Sequence, residues 1–186
     1  MDNKTLILEA TIKIFHQKGI KFTMDDLAKA LGMSKKTIYT VFKDKNELFL
    51  SMVDYLFDAI KESEQRVILD NSKSTIEKIH SILCVLPEGY KDLDFAQLFI
   101  LKDKYPAIYK RVEKRLESGW ENTIFLLEQG KKEGVIRDVN IALVKMMLEA
   151  SLEQFFQRDI LKRNKIKYQD ALNEVVDILM IGITNK

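Results

Sequence analysis

A chain of 186 residues, 46% hydrophobic and 31% charged, can bury a core of its own and has the balance of a soluble globular protein, not a disordered one. Its single cysteine excludes an intrachain disulfide, and its longest uncharged stretch, Ile79 to Pro87, falls far short of the roughly 18 apolar residues that cross a bilayer. Formal net charge is +2, unevenly spread: residues 1–50 hold nine Lys against six Asp plus Glu, a surplus of +3, which leaves −1 on the remainder and a basic bias toward the N-terminus.

Met1-Asp2-Asn3-Lys4 leads straight into an amphipathic pattern without an apolar segment of signal-peptide type, so a cytoplasmic location is expected. The first helix is expected from an Asn3 cap to about Lys18, with Gly19 as its stop. Leu6, Ile7, Ala10, Ile14 and Phe15 recur at helical spacing and mark its buried face. The stretch Thr23 to Lys45, TMDDLAKALGMSKKTIYTVFKDK, then holds two short helical patterns hinged at Leu31-Gly32-Met33. Thr23 can N-cap the first and Asp26 can complete a capping box, while Asp25 and Asp26 sit where the helix dipole favours negative charge. Leu27, Ala28 and Leu31 form its apolar stripe. Gly32 permits a sharp turn, and Ser34 can cap a second helix running from Lys35 through Phe42, which in outline is a helix-turn-helix.

On a helical wheel, Ile38, Val41 and Phe42 gather on one side of that second helix, and Lys36, Tyr39, Thr40 and Lys43 on the other. Two lysines beside two hydroxyls suit entry into a DNA major groove, because ammonium groups neutralise phosphate or reach guanine acceptors and hydroxyls bond phosphate or base edges. The same arc would also serve as an ordinary solvated surface.

The order FTMDDLAKALGMSKKTIYTVFKDKNELF closely resembles the DNA-binding signature of the TetR family of transcriptional regulators. The resemblance lies in Thr23, Leu27-Ala28, Leu31-Gly32, Ser34, Thr37, Tyr39, Phe42, Lys45, Glu47 and Leu48. It is specific over roughly the first quarter of the chain and general beyond. Lys36, where the family usually has a small residue or Pro, and Val41, where it often has an aromatic residue or His, depart from the pattern. The resemblance implies an all-α fold of about nine helices, with a helix-turn-helix headpiece over residues 1–45 and an effector-binding and dimerisation body over 46–186. It implies that Thr23 and Lys45 hold phosphates, that Lys35, Lys36, Thr37 and Thr40 face the groove and that Tyr39 contacts the backbone. Lys43 is added from the wheel alone, and Lys4 would lie near the DNA backbone.

After Lys43-Asp44-Lys45 a longer helix is expected to about Arg66, striped by Leu48, Phe49, Met52, Val53, Leu56, Phe57 and Ile60, with no Gly or Pro to separate headpiece from body. Asp70 to Ser74 reads as loop and cap, followed by a helix carrying Ile76, Ile79, His80, Leu83 and Cys84 and broken at Pro87-Glu88-Gly89. His80 and Cys84 share a face, but without further ligands in sequence they read as a packed helix with a structural thiol, and no metal or other cofactor is expected. An aromatic segment from Leu93 and a helix from Pro106 to about Lys132, stopping at Gly130 or Gly134, come next. Tyr55, Phe95, Phe99, Tyr109, Trp120 and Phe125 are candidate walls of a cavity for an apolar or aromatic small molecule, with ordinary core as the alternative.

Two last helices are expected from about Asp138 to Gln157 and from about Tyr168, joined by a basic loop, Arg158 to Lys167. In the final one Ile178, Ile181 and Gly182 widen the apolar surface beyond one stripe, so one face should meet the body and another a partner. The resemblance supplies a second copy as that partner, through a four-helix interface with Leu152, Phe155, Leu172, Val175, Val176, Leu179 and Ile183 as candidates. Gly-rich phosphate loops, a nucleophile elbow and HExxH are missing from the sequence, which argues against an enzyme. The expected function is therefore a homodimeric repressor released from a palindromic operator by a small molecule. The alternative is a DNA-organising or docking protein of the same fold with no effector.

Overall fold

Side-chain caps set most of the helix starts. Asp2 opens α1 (Asn3–Lys18): its carboxylate accepts a 2.7 Å hydrogen bond from the Thr5 N–H, which makes Asn3 the first helical residue instead of the expected cap. Gly19, at φ +59, ends the helix. Thr23 and Asp26 form the expected capping box at the start of α2 (Met24–Leu31), and Ser34 caps α3 (Lys35–Val41) by accepting from the Thr37 N–H at 3.0 Å. A single long helix, α4 (Lys45–Leu69), follows. Ser74 and Glu77 repeat the capping box at α5 (Thr75–Leu83).

The protein's structure, a computed structural model, describes residues 2–91 and 95–185; Leu93, where the aromatic segment is expected to begin, lies outside them. From Phe95 the chain makes a 3-10 turn and the single-turn helix α6 (Leu101–Lys104), then α7 (Pro106–Glu117), with Pro106 in its first turn as expected. The helix expected to continue to Lys132 is instead broken. Gly119 adopts φ +80 and its carbonyl accepts from the Lys61 ammonium, so the chain turns and α8 (Glu121–Lys132) starts afresh. That helix runs through Gly130, where a side-chain Cβ would lie 2.8 Å from Ile79 Cδ1, and stops before Gly134 at φ +72. Asn140 caps α9 (Ile141–Gln157); the basic connection contains the single turn α10 (Ile160–Arg163), and α11 (Tyr168–Ile183) closes the fold. The fold is all-α: among the described residues there are nine helices of seven or more residues and two single turns, and one isolated β-bridge joins Ile136 to Thr184.

Packing groups the chain into two compact units that do not follow chain order. The first is Met1–Asp58 with Asp94–Arg115, and the second Ala59–Leu93 with Leu116–Lys186, so α4 and α7 supply residues to both. In the first unit Phe49, fully buried, takes edge-on contacts from Phe15, Phe22 and Tyr105 at centroid distances of 5.6, 5.5 and 5.0 Å. Such pairs add roughly 0.5–1.5 kcal/mol each beyond area burial, and they tie α1, the turn before α2, α4 and the start of α7 into one body. Arg111 and Arg115 reinforce it from α7, pairing with Asp54 and Asp58 of α4 at 2.7 and 2.6 Å. The second unit is built on Ile79, Ile82, Leu126, Leu127, Val144, Leu148, Leu172, Val176, Leu179 and Ile183, donated by α5, α8, α9 and α11.

Candidate nucleic-acid interface

The turn between α2 and α3 follows from backbone chemistry. Gly32 takes the left-handed conformation, φ 62 and ψ 25, and the Met33 N–H reaches back 3.0 Å to the Ala28 carbonyl, closing the first helix and releasing the chain toward the second. Ile38 and Phe42, both essentially buried, anchor α3 in the first unit's core. The opposite face is exposed: Lys36, Tyr39 and Thr40 stand outward, and Lys35 and Lys43 are exposed beside them, while Val41 and Thr37 are half-buried. Thr40 donates its hydroxyl to the Thr37 carbonyl at 2.6 Å, and Thr37 Oγ1 lies 2.9 Å from Ser34 Oγ. Tyr39 is 45% exposed.

Charge is divided along this surface. Asp25 of α2 pairs with Lys35 at 2.8 Å, and this carboxylate raises the lysine pKa. Asp26 pairs with Lys18 at 2.7 Å and also accepts from the Thr23 N–H and hydroxyl, contacts that hold its carboxyl far below the usual range. Thr23 is thus both cap and partner of Asp26. Lys36 and Lys43 make no ion pair among the described residues, and their ammonium groups remain available to an anionic partner.

Two residues sit differently from the sequence reading. Lys43 follows the end of α3 at Val41, so the wheel does not apply to it; its backbone N–H donates to Glu47 at 2.7 Å while its side chain is exposed. Lys45, expected at a phosphate, turns inward. Its ammonium donates to the carbonyls of Ile20, at 2.9 Å, and Phe22, and lies 4.3 Å from the Phe22 ring centroid and 5.2 Å from that of Phe49. Burial, with the charge of Lys104 nearby, lowers its pKa.

The candidate cavity walls belong to both units. Phe95 and Tyr109 are buried in the first unit, where Phe99 meets Tyr109 edge-on at 5.6 Å, and Tyr55 donates its hydroxyl to Glu9 at 3.2 Å. Trp120, half-buried, belongs to the second unit and donates its indole N–H to the Leu116 carbonyl at 2.9 Å. Phe125, 61% exposed, is on the outer side of α8, where Leu126 and Leu127 take the inward positions.

The candidate dimer residues also divide. Leu172, Val176, Leu179 and Ile183 are buried in the chain's own second-unit core, and Leu152 and Val175 pack partly against it, while Phe155 lies edge-on to Tyr168 at 5.9 Å. On α9 and α11 the exposed large apolar side chains are Ile178 and Ile181 on α11, the latter 82% exposed, and Leu143, Met146 and Met147 on α9. Ile178 and Ile181 are the second face read from the sequence. Leu143, Met146 and Met147 are not among the expected dimer residues, although five apolar residues among positions 143–148 are more than one stripe needs.

Residues 7–52 match the family described as bacterial regulatory proteins, tetR family. Over 178 residues the chain is 30% identical to the uncharacterized HTH-type transcriptional regulator YvaF of Bacillus subtilis (strain 168), covering 96% of this chain and 94% of that one. A TetR-family regulator from Cytophaga hutchinsonii superposes with a TM-score of 0.71 at 19% identity, covering 98% of this chain and 95% of that one. The regulator FadR from Bacillus subtilis, in complex with stearoyl-CoA, superposes with a TM-score of 0.66 at 17% identity, covering 96% and 98%. With its capped bihelical turn, outward-facing recognition helix and a relative matched along nearly its whole length, this chain belongs to the TetR family of DNA-binding transcriptional regulators.

Proposed function

We propose that the protein is a homodimeric repressor that binds an inverted-repeat operator through residues 1–45 and is released when a small molecule binds the body, residues 46–186. The observation that carries the reading is α3, anchored by Ile38 and Phe42 with Lys36, Tyr39 and Thr40 exposed on the opposite face. Lys35, Lys36, Thr37 and Thr40 read the groove, Tyr39 and Lys43 approach the backbone, and the N-terminus of α2 at Thr23 faces a phosphate. One such helix makes too few contacts for tight binding at physiological salt, and a two-fold dimer brings two to one duplex.

The dimer face consists of Ile178 and Ile181 on α11 with Leu143, Met146 and Met147 on α9. Exposed isoleucines and methionines on two neighbouring helices are costly in water, and a second copy of the same surface covers them with two-fold symmetry. The body binds an apolar or aromatic effector; FadR, of the same fold, is complexed with stearoyl-CoA. Among the described residues no helix is long and apolar enough to cross a membrane, which is consistent with a cytoplasmic regulator.

Selection of bound duplexes from a random DNA pool by the full chain tests the reading. The expected product is an inverted repeat with half-sites about one helical turn apart, or a multiple of it. Sequences without two-fold symmetry would refute it.

A further inference from the structure

A carboxylate in the second unit has an oxygen with no hydrogen-bond partner among the described residues. Glu64, on the second half of α4, has a side chain only 8% exposed. Its Oε1 lies 2.6 Å from the Lys61 ammonium, while its Oε2 is buried without a hydrogen-bond partner. An unpartnered oxygen on a buried carboxylate is expensive, since its desolvation is not offset. Helices do not place glutamate inward without a reason when Asp58, Glu62 and other acids of α4 can face water.

The surroundings narrow what would satisfy it. Lys61 also donates to the Gly119 carbonyl, which places the carboxylate beside the corner that carries Trp120. Across that corner the Lys145 ammonium donates to the Glu117 carbonyl at 3.4 Å and lies 5.5 Å from the Trp120 ring centroid, and it contacts Glu149 at 2.8 Å. The Glu149 contact is an ion pair without hydrogen-bond alignment at Oε1, so a second carboxylate oxygen there is also incompletely satisfied. Glu121 adds its negative charge near Glu64. Glu64 with Lys61 and Glu149 with Lys145 thus border the corner of Glu117, Gly119 and Trp120, and Glu121 adds a third negative charge near Glu64, an acidic surplus that disfavours anions and favours a cation with N–H groups to donate.

We infer that the body binds an organic cation, an ammonium or amidinium group on an apolar or aromatic frame, with Glu64 Oε2 accepting its N–H and Trp120 lying against the frame. The inference rests on the effector reading above and specifies the ligand's charged end. Glu64 is the specificity-determining residue, since an apolar molecule lacking the donor leaves Oε2 as it is.

Trp120 is the sole tryptophan, so its fluorescence reports this corner directly. The full chain is titrated with benzamidine and phenethylamine as cations, ethylbenzene as a neutral frame and benzoate as an anion, and each complex is also followed by thermal unfolding. Saturable quenching and a raised melting temperature are expected with the cations and not with benzoate, and Glu64→Gln is expected to weaken cation binding at least tenfold. Circular dichroism and an unliganded melting temperature at or above that of the parent show that this variant is folded. Equal cation binding by Glu64→Gln, or no saturable response to either cation, overturns the inference. If ethylbenzene alone binds, the effector reading stands and the cationic one falls; if operator selection yields no inverted repeat while the cations still bind, the reverse holds.

Discussion

Replacing Lys45 by Met keeps the aliphatic stem and removes the ammonium, which separates two roles for this residue. In the structure that ammonium donates to the carbonyls of Ile20 and Phe22, in the turn between α1 and α2, and lies over the Phe22 ring. Hydrogen bonds to a charged group contribute about 1.5–3 kcal/mol each and an exposed cation–π contact about 0.5–1. The ammonium is partly desolvated, as its lowered pKa records, and the freed carbonyls can rehydrate, so much of this is offset. A net loss of about 2 kcal/mol is expected, and at roughly 2–4 °C per kcal/mol for a chain of this size the melting temperature should fall by roughly 4–8 °C. The assay is thermal unfolding followed by circular dichroism, paired with operator binding between 50 and 200 mM salt. Operator affinity should weaken for every site variant through a loosened turn, with the slope of log K against log salt unchanged. An unchanged melting temperature with a slope flattened by about 0.9 would refute the clamp and restore Lys45 to a phosphate.

Three further outcomes follow from the geometry. Lys36→Ala should reduce affinity at particular operator positions by about 1–3 kcal/mol and leave the folding stability within about 0.5 kcal/mol of the parent, since its side chain is exposed and makes no ion pair among the described residues; a competition panel of altered sites reads the difference. Ile181→Asp should give a smaller particle by light scattering and weak operator binding without unfolding the chain, because Ile181 is 82% exposed, whereas Val176→Asp should unfold the second unit, because Val176 is fully buried in it. Dimer mass retained by Ile181→Asp at micromolar concentration would exclude that face. Burial raises the Glu64 pKa above its ordinary 4.5, with Lys61 opposing, so the folded state holds this proton more tightly than the unfolded state. Glu64's contribution is therefore most favourable below pH 4.5 and is lost as pH rises through the raised value. Glu64→Gln should flatten that part of the stability profile measured by urea unfolding, and an identical profile would show that Glu64 titrates normally.

Local physics made much of this protein legible from its sequence. Thr23 with Asp26, Ser34 and Ser74 with Glu77 satisfy the first N–H groups of a helix within three or four residues of themselves, so the sequence marks those starts without any knowledge of the fold. The inward set on α3, Ile38 and Phe42, likewise follows from a 3.6-residue period and a Gly that adopts φ near +60 without strain. Tertiary structure decided what short-range signals leave open. At the break at Gly119 the carbonyl accepts from Lys61, 58 residues away, a contact that no short-range signal shows. Two apolar faces on α11 are equivalent in a hydrophobic pattern, and only the packing of α5, α8 and α9 makes Leu172, Val176 and Leu179 core and leaves Ile178 and Ile181 exposed. Lys45 shows the same limit at a single side chain: four methylenes can carry an ammonium outward to solvent or inward to two carbonyls, and the choice rests on where the turn at Ile20 and Phe22 comes to lie.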